Sequence, residues 1–305
     1  MPSTKEIRRR IKSIKSTRQI TKAMEMVSAA KMRKAQAQAL ATRTYSNLVW
    51  QLVQNLAGQT HPELHRLLRR PLEVKKVGVI LMTSNRGLIG GFNNNIINTA
   101  LKLEYNSAEM EFVTLGKKGR DAVRKRGKTL AAEFEKKETV GSVFDIAGLS
   151  KLIVEDFVTG KHDRVVLIFM NFVSTLVQEP VVREILPLTP SHSPPILRTG
   201  GETSFAFSPP PKGKGERQEG VEYLFEPNPD QVLETLLPRL VEMQLYQALL
   251  ETNASEHSAR MVAMRNATDA AGDLIDDLTL EYNKIRQASI TREISEIVAG
   301  KLALT

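Results

Sequence analysis

The 305-residue sequence contains no cysteine. Without thiols the chain can form no disulfide framework, no thiolate nucleophile and no cysteine-ligated zinc site. It also contains no run of ~18 apolar residues, so the sequence predicts no membrane-spanning helix. The N-terminus lacks the apolar core of a signal peptide. We therefore expect a protein that is made in the cytoplasm and does not cross a membrane.

Glycine and proline are absent from residues 3–57, a stretch that covers the N-terminal helix predicted below. Ser3 and Glu6 have the spacing of a capping box, with Ser3 as N-cap and the Glu6 side chain reaching back. The pattern predicts one helix of ~54 residues, which is ~80 Å long at ~1.5 Å per residue.

The C-terminal segment, residues 228–305, is nearly free of helix breakers as well. Asn228 is a good N-cap, and proline is favoured at the first helical position, where Pro229 stands. Pro238 is expected to kink the first turns. The segment therefore predicts a second, longer helix, which we expect to reach ~110 Å.

Apolar residues recur every three or four positions in both terminal helices, which predicts a long antiparallel coiled coil of the two chain ends. Two separate bundle helices remain the alternative. The predicted stripe of the first helix is Ile7, Ile11, Ile14, Ile20, Met24, Val27, Leu48, Leu52 and Leu56. That of the second is Leu236, Leu240, Met243, Met261, Met264, Leu274, Leu278, Tyr282, Ile285, Ile290, Ile294 and Ile297.

The formal net charge of +9 comes from the first 34 residues, which hold 11 Lys and Arg but only 2 Glu. The segment from residue 228 carries 7 basic and 12 acidic side chains, so opposite charges are expected to help the helices pair. The excess of basic residues indicates a further acidic partner. Nucleic acid is disfavoured, because residues 1–44 contain no aromatic side chain on which bases could stack.

Residues 70–227 alternate between strand and helix patterns, which indicates an α/β domain with a mainly parallel sheet. The predicted strands are 75–83, 111–115 and 164–169, with one or two more within 174–186. The predicted helices are 93–103, 117–126 and 144–159. The segment 84–93 (SNRGLIGGFN) follows the first strand as a phosphate-binding loop would, but its spacing matches no phosphate-binding motif. We expect its glycines to allow a tight turn and close helix–sheet packing.

Nine of the 14 prolines fall within residues 187–229, which predicts an exposed and mostly irregular excursion. Short strands at 203–207 and 221–225 are possible within it. We expect it to be a passive variable loop.

No catalytic, cofactor-binding or metal site is predicted. The five histidines have neither a helical metal-binding pair nor a nearby cluster of carboxylates; His61 and His65 are separated by a proline and are expected to be exposed. The adjacent acids Glu155 and Asp156, and likewise Asp276 and Asp277, are expected to be solvated, because neighbouring helix positions face different directions.

Four runs of the sequence resemble the γ subunits of F-type ATP synthases: residues 7–33, 84–93, 255–270 (which contains SARMVAMRNATDA) and 282–298. The resemblance covers the whole chain except the proline-rich excursion. It implies a coiled coil (residues 1–69 and 228–305) joined to a Rossmann-like α/β domain (residues 70–227). The absence of cysteine indicates the bacterial type, without the thiol-switch insert of chloroplast γ subunits.

The resemblance also implies a function. The two terminal helices would stand inside a ring of three α and three β subunits, with the α/β domain beside the ε subunit on the ring of c subunits. Proton flow would turn the c ring and the γ subunit with it. The chain would transmit torque without bond chemistry of its own, bind no cofactor, metal or nucleic acid, and be peripheral to the cytoplasmic face of the bacterial plasma membrane.

Nine residues match family positions at subunit contacts. Arg286 and Gln287 match a pair that contacts a loop of the β subunit, and Thr291 lies one turn further on the same helix face. Met24 matches a position near an acidic segment of the β subunit. The remaining implied contacts are basic: Lys22, Lys31, Arg33, Arg260 and Arg265.

Overall fold

The computed structural model describes residues 3–57, 65–69, 71, 73–103, 108–137, 141–188, 196–197 and 228–302. The elements are, in chain order, α1 (Thr4–Ala57), β1 (Lys76–Met82), α2 (Phe92–Leu101), β2 (Glu109–Leu115), α3 (Lys117–Lys125), β3 (Thr129–Phe134), α4 (Phe144–Val158), β4 (Arg164–Phe172), β5 (Gln178–Leu186), β6 (Ile196–Leu197) and α5 (Pro229–Leu302).

The chain divides into two compact units. The helix-pair unit contains residues 1–29 and 260–305, and the sheet unit contains residues 30–259. Among the described residues, no helix combines the length and the apolar character that a membrane crossing requires.

The sheet unit is built on a six-stranded sheet with the order β3-β2-β1-β4-β5-β6. Strands β1 to β4 pair in parallel, whereas β5 is antiparallel to β4 and β6 is antiparallel to β5. Every residue of β1 after Lys76 is buried, as expected for a central strand whose two faces are both covered. The predicted α/β class with a mainly parallel sheet is confirmed.

Helices cover both faces of this sheet. On one face, Val79 and Leu81 of β1 belong to the same apolar cluster as Ile96 of α2. On the other face, Ile80 of β1 shares a cluster with residues of α4 and with a long stretch of α5 that includes Leu245. Alternate residues of one strand thus fill two cores, which explains why its sequence is a continuous apolar run.

Strand β3 is not among the predicted strands. Its sequence, TLAAEF, includes two alanines and a glutamate, which are weak strand formers. It lies at the edge of the sheet, and none of its residues is fully buried. Strand β6 lies within the predicted irregular excursion and is likewise not among the predicted strands. The remaining elements of the sheet unit lie at the predicted places, and segment 174–186 supplies one strand, β5. The possible strands at 203–207 and 221–225 lie outside the described residues.

Close glycine packing occurs after β2 and not in the segment 84–93, where we expect it from the sequence. A Cβ atom on Gly116 would lie 2.4 Å from the carbonyl oxygen of Thr83, and one on Gly119 would lie 2.8 Å from the Thr83 hydroxyl. In the segment 84–93, Gly90 has a φ of +57° and supports the predicted turn, but no atom lies within 4 Å of an added Cβ. Leu88, which is not a glycine, also has a positive φ of 62°.

Helix α5 is enclosed by the sheet unit, and every residue from 240 to 258 is buried. The enclosed part includes charged and polar side chains, among them Glu251, Asn253 and Glu256. The helix continues through Pro238 without interruption.

The helix-pair unit is antiparallel, as predicted. Thr268 of α5 donates a hydrogen bond to Thr21 of α1 over 2.8 Å, and Gly272 lies against the guanidinium group of Arg18. Residue numbers along α5 therefore increase as the numbers of the contacting residues along α1 decrease. The inner face is formed by Ile7, Ile11, Ile14, Thr21 and Ser28 on α1, and by Met264, Thr268, Ala271, Ile275 and Leu278 on α5.

Part of the predicted apolar stripe is wrong. Ile20, Val27 and Leu274 are 58%, 56% and 52% exposed, because the buried line passes one position away, through Thr21, Ser28 and Ile275. Apolar spacing alone could not identify this line, since two of its members are polar. Leu48 is also exposed, and the side chains of Leu52 and Leu56 lie outside the described set.

The predicted N-caps of both long helices are present. The Glu6 amide donates to the Ser3 hydroxyl over 3.3 Å, and the Gln231 amide donates to the Asn228 side chain over 2.9 Å. The reciprocal half of the first capping box is wrong, because the Glu6 carboxylate accepts from Arg10 at 3.1 Å instead of reaching back.

Candidate functional site

The first three turns of α1 form a basic groove. Its volume is about 530 Å³, and its lining consists of Ser3, Lys5, Glu6, Arg8, Arg9 and Lys12. Within the described part of the chain, none of the four cations in this lining forms an ion pair. The groove is therefore a surface on which an acidic partner would meet unneutralised charge.

The ion pairs found within the basic segment of α1 are internal to that helix. Arg10 pairs with Glu6 at 3.1 Å, and Lys22 pairs with Glu25 at 3.0 Å. The prediction that opposite charges help the two helices pair is not supported for the described cations of the groove. Further along the helix-pair unit, the two helices are joined by apolar packing and by the Thr21–Thr268 hydrogen bond.

Two of the predicted contact residues come together at one level of the helix pair. The antiparallel offset set by Thr21 and Thr268 places Met24 level with about residue 265. Met24 is half-buried, whereas Arg265 is exposed, and Arg260 lies further along α5 and is half-buried. Lys31 and Arg33 belong to the sheet unit; Lys31 is half-buried and Arg33 is exposed.

Arg286, Gln287 and Thr291 are all exposed. By the same offset, Arg286 lies level with Ser3, one residue before α1 begins. Residues from about 286 onward thus extend beyond the described part of α1. Thr291 follows Gln287 by four residues, so both lie on one face of α5, as predicted.

This extended part of α5 carries an exposed apolar face. Ile290, Ile294, Ile297 and Val298 are 47%, 56%, 72% and 52% exposed, and their spacing places them on one side of the helix. The sequence prediction assigns the three isoleucines to the stripe shared with α1, which is wrong because the described part of α1 begins too late to reach them.

The sequence prediction also misses a polar layer within the helix pair. A Cβ on Gly272 would lie 3.6–3.8 Å from the guanidinium atoms of Arg18, an exposed side chain of α1 that contacts α5 at this glycine. Thr21 and Thr268 form the next contact along the pair. A search for apolar spacing does not detect these residues, because they are polar. The signal that could have identified them is a polar residue at a position where the heptad repeat requires an apolar one.

His162 contradicts the expectation that no histidine lies near a group of carboxylates. Its imidazole is fully buried, 3.2 Å from a Glu111 oxygen and 3.8 Å from an Asp156 oxygen. Lys161 contacts the same two acids, and its hydrogen bond to Asp156 raises the pKa of the Lys161 amine. Asp156 is thus not a solvated residue, whereas Asp276 and Asp277 are exposed as predicted.

In the histidine cluster, Lys161 pairs with both acids. Among the described residues, no group of His, Asp or Glu has the arrangement of a metal site. The cluster joins β2, the end of α4 and the start of β4. The residues are brought together from three elements, so sequence spacing could not reveal it.

Comparison with known proteins gives one consistent result. The family model described as ATP synthase matches residues 3–304. The ATP synthase gamma chain of Roseiflexus castenholzii is 44% identical over 310 residues, which cover 100% of this chain and 99% of the relative. That of Pelotomaculum thermopropionicum is 45% identical over 312 residues and is covered completely.

Solved structures share the fold. A chain of the mitochondrial ATP synthase rotor of Euglena gracilis aligns with a TM-score of 0.63 at 18% identity, covering 94% of this chain and 98% of that one. A chain in another rotational state of the Euglena enzyme, described with its F1 part and c ring, aligns with a TM-score of 0.64 at 20% identity, covering 99% and 94%. Because relatives above 40% identity match along their full length and the family model spans nearly every residue, this chain belongs to the family of ATP synthase gamma chains.

Proposed function

We propose that the chain is the central rotor shaft of a bacterial F-type ATP synthase. It transmits torque between a proton-driven ring of c subunits and the catalytic sites of a ring of three α and three β subunits. Residues 1–69 and 228–305 act as the shaft, and residues 70–227 act as the base, next to the ε subunit and the c ring. The complex holds the chain at the cytoplasmic face of the plasma membrane.

The observation that carries this proposal is the surface of the helix-pair unit. Lys5, Arg8, Arg9 and Lys12 are without ion-pair partners among the described residues, and the end of α5 exposes an apolar face. A helix pair that exposes a basic groove and an apolar face requires a surrounding partner with two matching surfaces. The partner is acidic opposite the groove of α1 and apolar opposite the end of α5.

The predicted contacts suit a shaft that turns. Lys22, Arg33, Arg265 and Arg286 are exposed, and an exposed ion pair contributes only ~0–1 kcal/mol. Several such contacts can orient the shaft in the ring, yet each can be broken and remade with the next β subunit at small cost. The chain itself carries out no bond chemistry, and the nucleotide sites lie on its partners.

The test is reconstitution of the full chain with the matching α and β subunits, with a bead fixed to the sheet unit. Because the chain has no cysteine, one introduced at the exposed position Lys125 provides a unique attachment site. Stepwise, unidirectional rotation on ATP addition is the expected result. A folded chain that fails to assemble with α and β would refute the rotor function and favour a different coiled-coil adaptor.

A control separates specific assembly from nonspecific binding of acidic molecules to the basic groove. Duplex DNA is added to the chain alone at increasing salt. Binding that is tight and falls steeply with salt, in the absence of assembly with α and β, would support a nucleic-acid binder instead.

A further inference from the structure

One turn of α5 is tied to strand β4 and to two loops at the carboxyl end of the parallel strands. The Ser255 hydroxyl donates to the Met170 carbonyl at the end of β4 over 3.3 Å. The Ser258 hydroxyl donates to the Thr175 carbonyl in the β4–β5 turn over 2.6 Å. Between them, Glu256 accepts from the Lys136 ammonium group, 2.5 Å away in the β3–α4 connection.

The loop after β1 joins the same network. The Asn85 side chain donates to the Lys136 carbonyl over 2.6 Å and accepts from the Lys117 amide over 3.3 Å. The backbone of Lys136 is thereby fixed while its side chain reaches α5. Three loops of the sheet unit thus converge, directly or through Lys136, on residues 255–258.

The ion pair is enclosed, with only 2% of the Lys136 side chain and 8% of the Glu256 side chain exposed. A buried ion pair is seldom more stabilising than well-packed apolar side chains of the same size. The ion pair instead makes the contact directional. A charged hydrogen bond fixes the distance and angle between its two groups, whereas the hydrophobic effect is non-directional.

The three tied residues point in different directions around the helix. At ~100° per residue, Ser255, Glu256 and Ser258 span ~160° of the circumference of α5. Apolar contacts along residues 240–254 oppose separation of the helix from the sheet, but they offer less resistance to turning of the helix about its own axis. Directional bonds on different sides of the helix oppose that turning.

We propose that Lys136 and Glu256, with Ser255 and Ser258, form a latch that locks α5 to the sheet unit against rotation about the helix axis. The inference rests on the proposed rotor function, since it assigns the path by which torque passes between the sheet unit and the shaft helix. These are positioning residues. They set the torsional stiffness of the joint and contact no nucleotide.

The experiment measures that stiffness in the assembled complex of the full chain with α and β. A bead is attached through Lys125→Cys, the complex is held at a catalytic pause, and the variance of the bead angle is recorded. The test variant is the double substitution Lys136→Met with Glu256→Leu, which keeps side-chain volume and removes both charges of the pair. We expect its angular variance to rise at least twofold.

Glu242→Gln is the matched control, because Glu242 is also on α5 and pairs with Arg239 at 2.8 Å within the same helix. Its variance should equal that of the parent chain. Ser258→Ala is the milder test variant and should give a smaller increase if the double variant does not assemble. Unchanged variance in an assembled test variant would overturn the latch. If the parent complex itself does not rotate, the rotor function fails first, so the two failures can be told apart.

Discussion

Replacing Ile290, Ile294 and Ile297 with serine tests whether the end of α5 enters an apolar partner surface. The exposed fractions of the three side chains together amount to about one and three-quarter isoleucines. Complete burial of one such side chain contributes ~1.5–3 kcal/mol, so full enclosure of the three would contribute ~3–5 kcal/mol. The variant should bind the ring of α and β subunits ~10²–10⁴-fold more weakly.

The assay is a titration of labelled chain into preformed α and β subunits, with helix content checked by circular dichroism. Leu176→Ser is the control, since Leu176 is 78% exposed in the sheet unit and its loss should leave binding unchanged. If the triple variant binds as tightly as the parent chain, the apolar face of α5 is not a partner surface. If the control weakens binding equally, the effect is not specific to that face.

Four further predictions concern single substitutions, and the first of them compares two glycines. Gly116→Ala should destabilise the chain by at least ~3 kcal/mol in urea unfolding, because φ is +112° and an added Cβ would lie 2.4 Å from a carbonyl oxygen. Gly127→Ala, at a φ of +64° with open space around it, should cost only ~1–2 kcal/mol, and equal costs would contradict the steric argument. Gly272→Ala should raise stability by ~0.5–1 kcal/mol, since the nearest atom to its Cβ is 3.6 Å away; a lower melting temperature would show that the added methyl group does not fit. Lys31→Ala should leave rotation speed within about twofold, because one ion pair contributes ~0–1 kcal/mol, and severe loss of turnover with normal assembly would refute this. Met24→Lys should impair coupling of ATP synthesis to proton flow by adding a cation beside basic neighbours, and unchanged coupling would remove the basis for the contact assignment.

The long helices could be predicted because they depend on local chemistry. Residues 3–57 contain no breaker, and Ser3 and Asn228 are N-caps whose bonds are present. The buried strand β1 could also be predicted, because both of its faces are covered and its residues are therefore apolar throughout. In each case the sequence near the element determines the result.

The exact contact line of the helix pair could not be predicted. The line includes Thr21 and Ser28, whereas the apolar residues Ile20 and Val27 point outward. In a protein that binds partners along its length, apolar residues serve two surfaces, and a single sequence does not separate the inner surface from the outer one. For the same reason, apolar spacing places the isoleucines at the end of α5 on the inner surface, whereas the structure exposes them.

The buried polar groups were also inaccessible to sequence reasoning. His162 meets Glu111 across 51 positions, and Lys136 meets Glu256 across 120. No spacing rule connects residues so far apart, and lysine and glutamate are commonest on a solvated surface. Only the order of strands in the sheet brings them together.

The contacts of α5 differ in kind between the two units in a way that fits a shaft. In the sheet unit, residues 240–258 are buried all round, and their ion pair with Lys136 is enclosed, so breaking it would leave a buried charge unpaired. Those contacts are suited to remain intact through many turns. In the helix-pair unit, Arg265 and Arg286 are exposed, and we propose that each binds and releases an acidic partner at a cost of ~1 kcal/mol or less. A rotor needs both kinds of contact. The contacts that carry torque must stay intact under load, whereas the contacts with the stationary ring must break and re-form at every step.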